Sequence, residues 1–113
     1  MLPSLLDFLN HIYAECCFVL ENTENKTKEE FLKDEVLIRA AVRSLEVIGE
    51  ATKKLPIDFR TKHPHINWNE MAGMRDILIH NYFGIDYDVV WNTIQNDISQ
   101  LQTHLHLILY SQE

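Results

Sequence analysis

The sequence predicts an all-α fold, an antiparallel bundle of four to five helices forming one domain over residues 1–113, and three observations carry that prediction. Apolar residues recur at three- and four-residue steps over long stretches, the period of a helix with one buried face. Only three glycines and three prolines punctuate the chain, so long elements are the natural reading. No run alternates apolar and polar residues between turn signals, as a half-buried strand would. At 113 residues, 46% hydrophobic and 24% charged, the chain has the composition of a single globular domain with its own core.

The first helix is expected over residues 3–21, where Leu2, Leu5, Leu6, Leu9, Ile12, Tyr13, Cys16 and Leu20 form the apolar stripe. The polar run 22–26 ends it. Thr27 followed three residues later by Glu30 is a capping-box signature, so a second helix should begin near Lys28. Its stripe of Phe31, Ile38, Ala41, Val42, Leu45, Ile48 and Leu55 predicts one long helix stopped by Pro56. A short turn or helix over 57–62 leads to Pro64. Asn67 and Glu70 then form another capping pair ahead of Met71, Met74 and Leu78, the third main helix. Gly84 suits a helix stop, and Asp86 caps a last helix reaching about Tyr110, with Val90, Ile94, Ile98, Leu101, Leu105 and Ile108 as its seam.

Composition narrows the function. A net charge of -7 argues against a generic nucleic-acid binder, whose affinity rests on clustered Lys and Arg. The charge is unevenly spread, however. Residues 1–50 carry 5 basic against 10 acidic side chains, and residues 81–113 carry none against 4. Between them stand Lys53, Lys54, Arg60, Lys62 and Arg75 against Asp58, Glu70 and Asp76, the one region of positive excess. No apolar run approaches the roughly 20 residues of a membrane span, and the N-terminus lacks a secretory pattern, so a cytoplasmic protein is expected. Cys16 and Cys17 are adjacent, a spacing poorly suited to a mutual disulfide or a zinc site, and read as reduced thiols.

The chemistry concentrates in RDILIHNY, residues 75–82, inside that positive region. Arg75 offers a permanently charged planar fork that matches phosphate oxygens. His80, with an ordinary pKa near 6.5, is partly neutral at physiological pH and suits removal of a proton from a ribose 2′-OH. A five-residue step turns about 140° around an ideal helix, so Arg75 and His80 do not share a face. Either the helix unwinds near His80, or Arg75 bends round, or a second copy of the motif completes the site. On residue types alone, an ion pair of Asp76 with Arg75 or His80 beside a packed tyrosine explains the segment equally well.

The histidine pairs offer little metal chemistry. His104 and His106 stand two residues apart on a helix and point about 200° away from each other. His63 and His65 bracket Pro64 in a loop, where a solvated pair is favoured over a weak metal site; for His104, His106 and the isolated His11 surface or interface positions are the default, and no metal site is assigned. Glu50 reads either as a partner of the motif or as a surface carboxylate. Trp68, Trp91 and Phe83 read as core or interface aromatics.

The pattern Arg, four residues, His, one residue, Tyr resembles the hallmark of the HepT-like toxins of the HEPN superfamily, the higher-eukaryote and prokaryote nucleotide-binding helical domains; here it is Arg75, His80 and Tyr82. LEVIGEATKKLP at 45–56 resembles that family's second-helix signature, INWNEMAGMRDILIHNYFGID at 66–86 its motif region, and Val90 with Trp91 falls where a Val-Trp pair is usual. The resemblance implies a HEPN-like bundle that cleaves RNA without a metal or other cofactor, paired as a homodimer so that two motifs face one cleft. It makes His80 the base for the 2′-OH and Arg75 the stabiliser of the pentacoordinate phosphate. Asp76 stands where the family usually has a polar residue, often Asn, in a supporting role. The resemblance also implies a partner, a minimal nucleotidyltransferase antitoxin of the MNT type that adds AMP to Tyr82. The alternative is a non-catalytic helical module that binds a nucleotide or serves the nucleotidyltransferase.

Overall fold

The computed structural model describes residues 3–80 and 84–110, with backbone alone at residues 79 and 80. Among them the chain is helical throughout, as expected: α1 (Leu5–Thr23), α2 (Lys28–Lys33), α3 (Glu35–Lys53), α4 (Ile57–Lys62), α5 (Trp68–His80), α6 (Tyr87–Asn92), a π-helical segment (Thr93–Ile98) and α7 (Ser99–Tyr110). The last three run on as one rod, so α1, α3, α5 and this rod are the four main helices, and α2 and α4 are short connectors.

Local chemistry explains the boundaries. The Ser4 hydroxyl accepts the Asp7 N–H at 3.1 Å and the Asp7 carboxylate accepts the Ser4 N–H at 2.8 Å, a capping box at the start of α1. Leu9, Ile12, Cys16 and Val19 are its buried face, whereas Leu5 and Leu6, expected in the stripe, are 38% and 57% exposed. The Thr27 hydroxyl and the Glu30 carboxylate form the anticipated box at α2, at 3.1 and 2.8 Å. The long second helix expected from there to Pro56 is instead two. Asp34 leaves the helical region, and its carboxylate accepts the Leu37 N–H at 3.0 Å, so that it starts α3 afresh. The short α2 turns Phe31 into the core, against Trp91 at 5.2 Å between ring centroids.

α3 is the central element, packed on α1 along one side and on α5 along the other. α1 and α7 run antiparallel, because Cys17 meets Gln102 at 3.7 Å while the earlier Tyr13 meets the later His106 at 2.9 Å. Asp86 caps α6 as anticipated, its carboxylate accepting the Asp88 and Val89 N–H groups at 3.0 and 3.4 Å. Val90, Ile94, Ile98, Leu101 and Leu105 are the buried seam of the rod. Among the described residues, no helix is long and apolar enough to cross a membrane.

Candidate active site

Gly49 brings the site together. A Cβ placed on it would stand 2.7 Å from the Cβ of Arg75 and 2.8 Å from the carbonyl oxygen of Met71, so only glycine lets α3 and α5 approach this closely. The motif arginine therefore sits at the closest point of the helix crossing. Its side chain is 34% exposed and half embedded.

Carboxylates and amines alternate around it. Arg75 Nε forms an ion pair with Glu50 Oε1 at 2.8 Å, and NH1 donates to Asp76 Oδ1 at 3.2 Å. Lys53 Nζ in turn donates to both oxygens of Asp76, at 2.9 and 3.0 Å, and Lys54 Nζ stands 3.9 Å from Glu50 Oε2. The Lys53 hydrogen bond, more than that of Arg75, holds the Asp76 carboxyl below the ordinary carboxylate range, and partial burial opposes the shift. Asp76 is therefore an anion at neutral pH. Beside this network lies an open groove of about 390 Å³ between α1, α3 and α5, with Phe8, Val47 and Ala51 as apolar surface and Arg43, Lys54 and Arg75 facing Glu46 and Glu50.

The expected residues stand as follows. Arg75 and Asp76 are adjacent on α5 and joined by an ion pair. His80 is the last described residue of that helix; its side chain, and Tyr82 and Phe83 altogether, lie outside the described residues. Glu50, read from sequence as either a partner or a surface group, is a direct partner of Arg75. Lys53 as the holder of Asp76 was not anticipated, although Glu50, Lys53 and Lys54 at three- and four-residue steps share a face of α3 that ought to have suggested it.

Elsewhere, Trp68 is buried as expected, its indole N–H donating to the His63 carbonyl at 2.9 Å, and Trp91 is half-buried. His104 and His106 do point apart: His106 bonds Tyr13, while His104 packs edge-on against His65 at 4.2 Å between centroids. That second contact, between α7 and the loop before α5, was not foreseen. Among the described residues, no group of three or more His, Cys, Asp or Glu is arranged to hold a metal ion. Cys16 is buried and Cys17 half-buried, both as free thiols, and burial pushes the Cys16 thiol well above its ordinary range.

Comparison with known proteins adds a second line. The family model described as Ribonuclease HepT-like matches residues 10–108. The chain is 49% identical over 106 residues to a candidate RNase of Caldanaerobacter subterraneus subsp. tengcongensis, a match covering 94% of this chain and 95% of that one. It is 47% identical over 102 residues to a candidate RNase of Methanocaldococcus jannaschii, covering 90% and 84%. It is 46% identical over 96 residues to a probable ribonuclease HepT of Thermococcus cleftensis, covering 85% and 87%. No solved structure matches the chain.

Proposed function

The chain belongs to the Ribonuclease HepT-like family, and from that premise we propose that it is a metal-independent RNA endonuclease, the toxin of a HEPN/MNT toxin–antitoxin pair. The observation that carries this reading is the placement of Arg75, fixed at the α3–α5 crossing on the helix that also carries His80. A guanidinium held half-exposed at a groove is suited to a phosphate, and a histidine, with its ordinary pKa near neutrality, is suited to proton transfer.

In the proposed reaction, neutral His80 takes the proton from a ribose 2′-OH as that oxygen attacks the adjacent phosphorus. Arg75 offsets the charge that develops on the pentacoordinate phosphate. The bond from phosphorus to the 5′-oxygen breaks, that oxygen takes a proton from water, and His80 returns its proton to solvent. The products are a 2′,3′-cyclic phosphate and a 5′-OH end. Purified protein in excess chelator should produce these ends from RNA, and His80→Ala should not; undiminished cleavage by folded His80→Ala would overturn the mechanism.

The site is proposed to be composite, shared by two subunits. Ile77, within the motif, is 56% exposed, an apolar side chain that a second copy would cover. Sedimentation should find a dimer, and a fully active monomer would count against this arrangement. Tyr82, two residues after His80 in the sequence, is proposed as the off-switch: its phenolic oxygen attacks the α-phosphorus of a nucleoside triphosphate on the MNT partner, acquiring AMP and releasing pyrophosphate. An anionic nucleotide there competes with RNA for Arg75. Mass spectrometry after co-expression with the nucleotidyltransferase should place AMP on Tyr82, and Tyr82→Phe should escape neutralisation.

A further inference from the structure

Resting on that ribonuclease reading, we infer that Glu50 is a positioning residue that orients the Arg75 guanidinium for phosphate. The two carboxylates on Arg75 are not equivalent. Glu50 Oε1 pairs ionically with Nε at 2.8 Å, while its other contact, to Lys54, is a long 3.9 Å. Asp76 reaches NH1 at 3.2 Å, while both of its oxygens are engaged by Lys53 at 2.9 and 3.0 Å. Glu50 is thus committed to Arg75, and Asp76 is committed to Lys53.

Geometry gives that difference a use. A carboxylate on Nε fixes the rotation of the planar guanidinium about its last torsion and directs the terminal nitrogens outward. An incoming phosphate takes the place of Asp76 on NH1, since Asp76 retains Lys53 as its partner, and Glu50 stays. The next residue along α3, Gly49, sets the distance between the two backbones. Gly49 sets where Arg75 stands, and Glu50 sets which way it faces.

The test compares kcat and KM for RNA cleavage in Glu50→Ala, Glu50→Gln and Arg75→Ala, each checked for native helicity, melting and oligomeric state. Misplacing a catalytic group lowers the rate by about 100-fold, so Glu50→Ala should lose about that in kcat with KM little changed. Glu50→Gln keeps an oxygen acceptor for Nε and should recover most of the loss. In the Arg75→Ala background, Glu50→Ala should cost nothing further, because it acts through the arginine. Wild-type kcat in Glu50→Ala beside an inactive Arg75→Ala overturns the positioning role alone. Equal losses in the Gln and Ala variants overturn it as well, as does a loss confined to KM. Full activity in Arg75→Ala overturns the role of Arg75 at the phosphate and the positioning role with it, whereas no RNA cleavage by the wild-type protein overturns the ribonuclease reading itself.

Discussion

The two ends of α5 are held by opposite kinds of chemistry. At its N-terminal end, Trp68 is buried against Phe59, the Phe59 and His63 rings lie 4.6 Å apart, and His65 packs on His104, an assembly of largely uncharged rings. Further along, Arg75 and Asp76 are held by ions, namely Glu50 and Lys53. The rings are a source of stability, because burying an aromatic side chain removes a large apolar area from water. The ions are not. Lys53, Glu50, Arg75 and Asp76 are 36%, 46%, 34% and 45% exposed, and solvent-screened pairs of this kind contribute about 0–1 kcal/mol each. Such a network gives direction rather than stability. One end of the helix anchors it, and the other aims it.

Substitutions that separate activity from stability test this division most sharply. Arg75→Ala should lower RNA cleavage by about 1,000-fold, the scale of losing a transition-state donor, and leave the melting temperature almost unmoved. Trp68→Ala should do the reverse, lowering stability by about 3–5 kcal/mol in urea titration while any protein still folded cleaves RNA. A strongly destabilised Arg75→Ala would erase the distinction between the two ends.

The glycines give the next-largest contrast. Gly49 and Gly73 are both helical, and alanine is favoured over glycine in a helix by about 1 kcal/mol. At Gly73 nothing lies within 4 Å of the added Cβ, so Gly73→Ala should be stabilising by roughly 0.5–1 kcal/mol. At Gly49 the new methyl meets the Met71 carbonyl and the Arg75 Cβ, neither of which is a flexible side-chain tip. Overpacking of about 1–3 kcal/mol outweighs the propensity gain, so Gly49→Ala should be less stable and, with Arg75 displaced, nearly inactive. Thermal melts and cleavage rates of the pair check both signs.

Much of this was legible in the sequence, and what was not has physical reasons. The capping box at Thr27, the cap at Asp86, the seam of the C-terminal rod and the place of Arg75 on α5 depend on residues within a few positions of each other. The break at Asp34 was hidden because the apolar stripe continues across it, and a single cap decides whether the helix runs on or restarts. The π-helical segment did leave a trace. Val90, Ile94 and Ile98 advance by successive four-residue steps, which drift about 80° around an ideal α-helix, and a turn that takes up more residues keeps them on the core face. The pairing of Glu50 with Arg75 spans 25 positions and depends on the close crossing at Gly49. Periodicity says which residues share a face of one helix, not which meet across two.

The smallest predicted effect concerns pH, and it separates the two ends by window. His63 and His104 are held below the ordinary value of 6.5, first by burial and then by the neighbouring His65, with Lys62 and His104 adding to the effect at His63. Below pH 6.5 the unfolded chain therefore takes up protons that the folded one resists, and stability falls as pH falls through that value. Asp76 is lowered from 3.8, so its contribution is complete above that pH and is lost only under more acidic conditions. Urea midpoints should thus be flat above about pH 7.5, decline as pH falls below 6.5 through the imidazole end, and decline again below 3.8 through the ionic end. His104→Gln removes one of the two depressed imidazoles and the partner of His65, so it should flatten the first decline and leave the second in place. An unchanged slope just below pH 6.5 in that variant would show that the histidine contact, close as it is, does not govern how α5 is anchored.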